Sequence, residues 1–166
     1  SGHVTCDGRD VDAAEFNHPA PDLREPRLER VPVAKLKAAA PSDTRPSNCR
    51  ISWKGPWFQK LPEYTYYFYA RKGVEISFRL SYGNIGDKAL SGRSLELETV
   101  DGVKNLGPVK SGTTEYRYTA VADGWCSFRP PCQDKGMGGA PVTDVRGTRL
   151  AYQCDTLGDS VGKFTL

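Results

Sequence analysis

A chain of 166 residues, 38% of them hydrophobic, can bury a real core and is short enough for one domain. Its 23 basic and 20 acidic residues leave a net charge of only +3, spread along the chain, which excludes the concentrated basic face that a nucleic-acid partner needs. No apolar run approaches the roughly 18 residues of a membrane-spanning helix. The 17 glycines and 12 prolines call for many turns and few long helices.

Taken in order, residues 1–48 read as an irregular N-terminal arm and residues 49–166 as a β-rich body of the same domain. The arm holds both histidines, His3 and His18, and six of the 12 prolines. A short helix is expected over residues 11–16 with Asp10 as N-cap, and a second over 32–39, where Pro32 occupies the tolerated first position. The arm has too few large apolar side chains to fold alone, so it is expected to wrap the sheet, pinned by Cys6 and Cys49. Leu23-Arg24 and Leu28-Glu29-Arg30 read first as a solvated charged segment, and second as leucine-to-basic sites of the kind secretory convertases cut.

The body opens on a short strand, Arg50-Ile51-Ser52-Trp53, broken by Gly55-Pro56. Residues 63–82 then form its centre. Val74, Ile76, Phe78, Leu80 and Tyr82 alternate with Glu75, Ser77, Arg79 and Ser81, the period of a half-buried strand. Tyr64 to Ala70 is aromatic on both faces, as suits a strand covered on two sides. The turn at Ala70-Arg71-Lys72-Gly73 joins the two into an expected hairpin. Leu95 and Leu97 point inward from the next strand, and Asp101-Gly102 marks a second hairpin whose returning strand, interrupted by Gly107-Pro108, belongs at an edge. Tyr116, Tyr118 and Ala120 share one side of another strand. Asp123-Gly124 leads into Trp125-Cys126-Ser127-Phe128, residues 129–143 read as a long loop, and strands over 148–154 and 161–166 close the chain. The fold class is therefore mainly β: an antiparallel barrel or sandwich of seven or eight strands, with one or two short helices in the arm.

Five cysteines, Cys6, Cys49, Cys126, Cys132 and Cys154, are scattered without C-x-x-C pairs or zinc-finger spacing. Two disulfides and one odd thiol are expected, in a secreted protein. The pairing stays open: Cys126 is placed beside Cys154 with Cys132 reaching Cys49 or Cys6, or Cys132 pairs with Cys154 and Cys126 stays buried. No metal, cofactor or catalytic residue is assigned. A nuclease would need His18 folded over Glu75, Glu96 or Glu98, because no histidine lies on a predicted strand. Gly158-Asp159-Ser160 lacks its partner block, Gly136-Met137-Gly138-Gly139 lacks the lysine of a phosphate cradle, and Asp7, Asp10 and Asp12 lack the closing glutamate of a calcium loop.

The aromatics carry the functional expectation. Trp53, Trp57, Phe58, Tyr64, Tyr66, Tyr67, Phe68 and Tyr69 crowd 17 residues beside Lys54, Lys60, Arg71 and Lys72. That is more ring surface than one core face uses. Trp53, Trp57, Tyr67, Tyr69, Arg71 and Lys72 are the binding-surface candidates, with the arm the expected cover for whatever is not exposed.

In size, scattered cysteines, β-rich body, leucine-to-basic sites and lack of an active-site constellation, the chain resembles the small secreted effectors and necrosis-inducing toxins of plant-pathogenic fungi. Their even cysteine number is a difference. The resemblance implies a secreted, monomeric, non-enzymatic virulence protein that binds a host or cell-surface protein. A small secreted hydrolase, or a carbohydrate-binding module using Trp53 and Trp57, is the alternative.

Overall fold

A computed structural model of the chain describes residues 2–11, 33, 40–41, 44–53, 64–83, 90–132 and 140–155, with the backbone alone for 2, 3, 53, 64 and 152–155. The described residues form eleven strands. They are β1 (Gly2–Cys6), β2 (Arg9–Asp10), β3 (Asn48–Trp53), β4 (Tyr64–Ala70), β5 (Glu75–Tyr82), β6 (Ser94–Thr99), β7 (Gly102–Pro108), β8 (Gly112–Thr119), β9 (Gly124–Phe128), β10 (Val142–Arg146) and β11 (Leu150–Asp155). They assemble into a six-stranded sheet, in the order β2-β1-β3-β10-β5-β8, and a five-stranded sheet, β11-β4-β9-β6-β7. All pairings are antiparallel and neither sheet closes on itself. The architecture is a sandwich, and the barrel alternative falls away.

The core lies between the sheets. Phe78 of β5 reaches across to Phe68 of β4 and Phe128 of β9, with ring centroids 6.1 and 4.9 Å away, and Tyr66 stacks on Phe128 at 5.6 Å. Leu80, Leu95, Leu97 and Val145 fill the space around them, fully buried. Burial of each such side chain contributes about 1.5–3 kcal/mol, so the alternation of β5 and β6 is enough to orient both sheets. The inward placing of Leu95 and Leu97, and of Tyr116, Tyr118 and Ala120 on one side, agrees with the pattern in the sequence.

The expected hairpin over residues 63–82 does not form. β4 and β5 belong to different sheets, and the chain between them crosses the sandwich as an arch. Gly73 turns the arch at φ 83°, its N–H donating to the Ala120 carbonyl (2.8 Å) while Ala120 N–H donates to Val74 (3.1 Å). The turn's polar groups are thus taken up by the end of β8 rather than by a partner across a hairpin. Two-residue periodicity tells which side chains share a face. It is silent on whether the following turn stays in the sheet or leaves it.

The arm also departs from expectation. Residues 2–6 and 9–10 are strands at the edge of the six-stranded sheet, and Asp10 pairs with Thr5 instead of capping a helix. Val11 N–H continues that pairing to the Val4 carbonyl. Of the expected helices, residues 12–16 and all of 32–39 except Val33 lie outside the described residues, as does the expected strand over 161–166. β10, at the end of the segment read as a loop, is inserted between β3 and β5. With β1 and β2, it raises the count above the seven or eight strands expected. Short strands such as these carry too few residues for period two to stand out from chance.

Cys6 and Cys49 are direct neighbours across β1 and β3 and form a disulfide that closes 43 residues of chain. A loop of that length lowers the entropy of the unfolded state by about 4 kcal/mol in the chain-entropy account. The N-terminal strand pair is thereby held to the sheet by more than its ladder bonds. Cys126 and Cys132 are buried thiols. β9, which carries Cys126, and β11, which carries Cys154, lie on opposite sides of β4, so the expected neighbouring of those two cysteines is not found.

Candidate functional site

Three connections meet at one end of the sandwich: the β4–β5 arch, the β8–β9 loop and the β6–β7 hairpin. Ala70 pairs with Gly124, which brings the arch beside the loop. A Cβ on Gly124 would stand 2.6 Å from Val100 Cγ1, which brings the hairpin tip against the same point. Val100, Val103 and Val121 are the exposed large hydrophobic side chains among the described residues, each at least half exposed; Val100 and Val121 lie on these connections, and Val103 is the second residue of β7.

A polar ring fixes this end. Asp123 accepts from Lys72 N–H (2.7 Å) and pairs with the Arg71 guanidinium (3.5 Å). The same guanidinium stands 5.0 Å over the Tyr69 ring and donates to Thr44 Oγ1 at 3.4 Å. Tyr69 meets Trp125 edge-on at 5.5 Å. Arg71 therefore ties arch, loop and the segment before β3 together. Its exposed ion pair with Asp123 is worth about 0–1 kcal/mol, so its role is positional more than energetic. Thr99 Oγ1 bridges the hairpin turn, accepting from Asp101 N–H and donating to the Gly102 carbonyl. Burial, with Cys126 and Asp101 nearby, pushes the Tyr118 hydroxyl above its usual range.

The residues singled out by sequence are divided by this arrangement. Tyr69, Arg71 and Lys72 lie at the turn end, Tyr69 half-buried and the other two exposed. Tyr67 does not present a surface: it is 1% exposed, packed with Val33, Trp125 and Ala151 on the outer face of the five-stranded sheet. Val33 N–H donates to Glu98 on that face, so Val33 itself lies over part of the aromatic surplus there. Trp53 ends β3 opposite Gly2, its side chain outside the description. Trp57 and His18 lie outside the described residues altogether, as do residues 23–30, 136–139 and 158–160. The three valines were not singled out, because an isolated apolar residue beside Asp-Gly turn signals looks the same in sequence whether it points in or out.

Chemically, this end offers apolar contact framed by charge. Asp7, considered above for calcium, has its carboxylate committed to Asn48 N–H (2.9 Å), which with Ser47 holds it below the usual carboxylate range. Glu75 is engaged by Arg117 (3.6 Å) and Glu98 by Val33. Cys126 is pushed up to about 12 by burial and by Glu98, so the thiolate a nucleophile requires is disfavoured. Compared with known proteins, the chain matches no family model, no curated protein and no solved structure.

Proposed function

We propose that the chain is a secreted, disulfide-stapled, non-enzymatic protein of the effector or toxin type, and that it binds a host or cell-surface protein through the turn end of the sandwich as a monomer. The observation that carries the reading is that Val100 and Val121 are exposed on the β6–β7 and β8–β9 connections, with Val103 following in β7, at the end that also holds Arg71, Lys72, Asp101 and Asp123. Scattered exposed apolar residues need no explanation, but apolar residues grouped inside a charged rim have the composition of a protein-binding patch. The Cys6–Cys49 disulfide supports an oxidising setting. A rigid base beneath the patch, held by the Arg71–Asp123–Thr44 contacts, keeps the ordering cost of binding low.

The test is binding of fluorescently labelled protein to intact cells, comparing wild type with the Val100→Asp/Val121→Asp pair. Both sites are exposed, so folding should be unchanged by circular dichroism, while binding falls about tenfold or more. Undiminished binding by the folded variant would remove this end as the binding surface.

A further inference from the structure

The outer face of the six-stranded sheet carries a second arrangement that the turn end does not explain. From β3, β10, β5 and β8 it directs Arg50, Arg146, Arg79 and Arg117 outward, interleaved with Asp144, Glu75 and Glu115. The carboxylates are distributed unevenly among the arginines. Asp144 is taken by Arg50 at 3.1 Å, and Arg117 alone engages both Glu75 (3.6 Å) and Glu115 (3.7 Å). Arg79, although opposite Asp144 and Glu115 in register, and Arg146, opposite Ser77, have no carboxylate within ion-pair distance among the described residues. Both are exposed.

Register sets their separation. Arg79 faces Asp144, and Arg146 is the next outward residue on β10, so the two are diagonal neighbours about 7–8 Å apart, their Cβ atoms somewhat closer. Ser77 lies opposite Arg146 and one outward position from Arg79, which places a hydroxyl between two guanidinium forks that no described carboxylate engages at ion-pair distance. Further hydroxyls line the same face at Ser81, Thr113 and Thr119, with Thr113 donating to Ser81 Oγ at 3.0 Å.

We propose that Arg79, Ser77 and Arg146 form a binding site for the sulfate group of a sulfated glycan, with the neighbouring hydroxyls meeting the sugar. Planar guanidinium forks match a tetrahedral oxyanion with paired hydrogen bonds, which lysine does not reproduce. A bound sulfate also relieves the repulsion between two like charges held at a fixed spacing. A nucleic-acid backbone fits poorly, because Asp144, Glu75 and Glu115 interrupt any continuous track of positive charge. The face is open to water, so a single sulfate binds weakly and with strong salt dependence.

The experiment is calorimetric titration of the intact protein with a heparin tetrasaccharide, its desulfated counterpart and a single-stranded oligonucleotide of equal charge. The sulfated fragment should bind, and binding should fall about tenfold in the Arg79→Ala/Arg146→Ala pair. It should be unchanged in Lys110→Ala, which removes an exposed charge from the β7–β8 connection. The Arg79→Lys/Arg146→Lys pair keeps the charge and loses the fork, and should keep less than half of the affinity. Full affinity in either double variant, equal loss in Lys110→Ala, or tighter binding of the oligonucleotide or the desulfated fragment would each overturn the proposal. Circular dichroism of each variant confirms that an affinity change is not a folding change.

Discussion

The outer face of the six-stranded sheet meets water with arginines, carboxylates and hydroxyls, whereas the outer face of the five-stranded sheet buries Tyr67, Trp125 and Ala151 beneath Val33. The same strand geometry underlies both, and composition separates them. β5 alternates, so one side of its sheet is polar enough to be a surface. β4 is aromatic on both sides, so its sheet needs a second cover, and Val33, far away in sequence, supplies part of it. An antiparallel sheet can leave one face wet only when that face is polar. The lesson is that Tyr66, Tyr67 and Phe68 within the aromatic run are buried between or over the sheets, and that the exposed binding elements must be sought where the strands end.

Substitutions can break this contrast, and the largest effect belongs on the covered face. Tyr67→Ala removes a ring that is 1% exposed and should cost about 3–5 kcal/mol in urea unfolding. Val33→Asp tests the cover itself. A carboxylate placed against Tyr67 and Trp125 should cost about 2–3 kcal/mol, and a neutral result would mean that the cover contributes nothing. Cys126, pointing from β9 into the core, gives a smaller effect that depends on pH. Its thiol titrates near 9.0 when unfolded and near 12 when folded, so its contribution is intact below pH 9.0 and is lost as pH rises toward 12. At pH 10 the loss is about 1 kcal/mol, measured as the difference in pH dependence between wild type and Cys126→Ala. The smallest effect belongs on the open face. Arg50→Ala breaks an exposed pair with Asp144 and should change stability by less than about 1 kcal/mol.

The candidate site was partly legible before the fold was known. Arg71, Lys72 and Tyr69 stand out in sequence because a basic turn follows an aromatic strand, and they do lie at the turn end. Val100, Val103 and Val121 do not stand out, since each is one apolar residue beside a turn. They become a group only because the hairpin tip and the β8–β9 loop are brought to the same end by β6 and β9 pairing. The uneven sharing of carboxylates around Arg79 and Arg146 is likewise a property of cross-strand register, which joins residues more than 60 positions apart.

By itself the sequence determined the β class, the inward residues of β5, β6 and β8, the β6–β7 hairpin and the need for a cover over β4. Each depends on short-range chemistry: period-two burial, the Asp-Gly turn, and the cost of leaving aromatic rings in water. Tertiary structure alone decided that β4 and β5 fall in different sheets, that residues 2–10 extend one of them, and that Cys6 faces Cys49. Those outcomes depend on which strand edges pair, a choice made by packing between segments distant in the chain. Alternation constrains the faces of a strand and leaves its neighbours open.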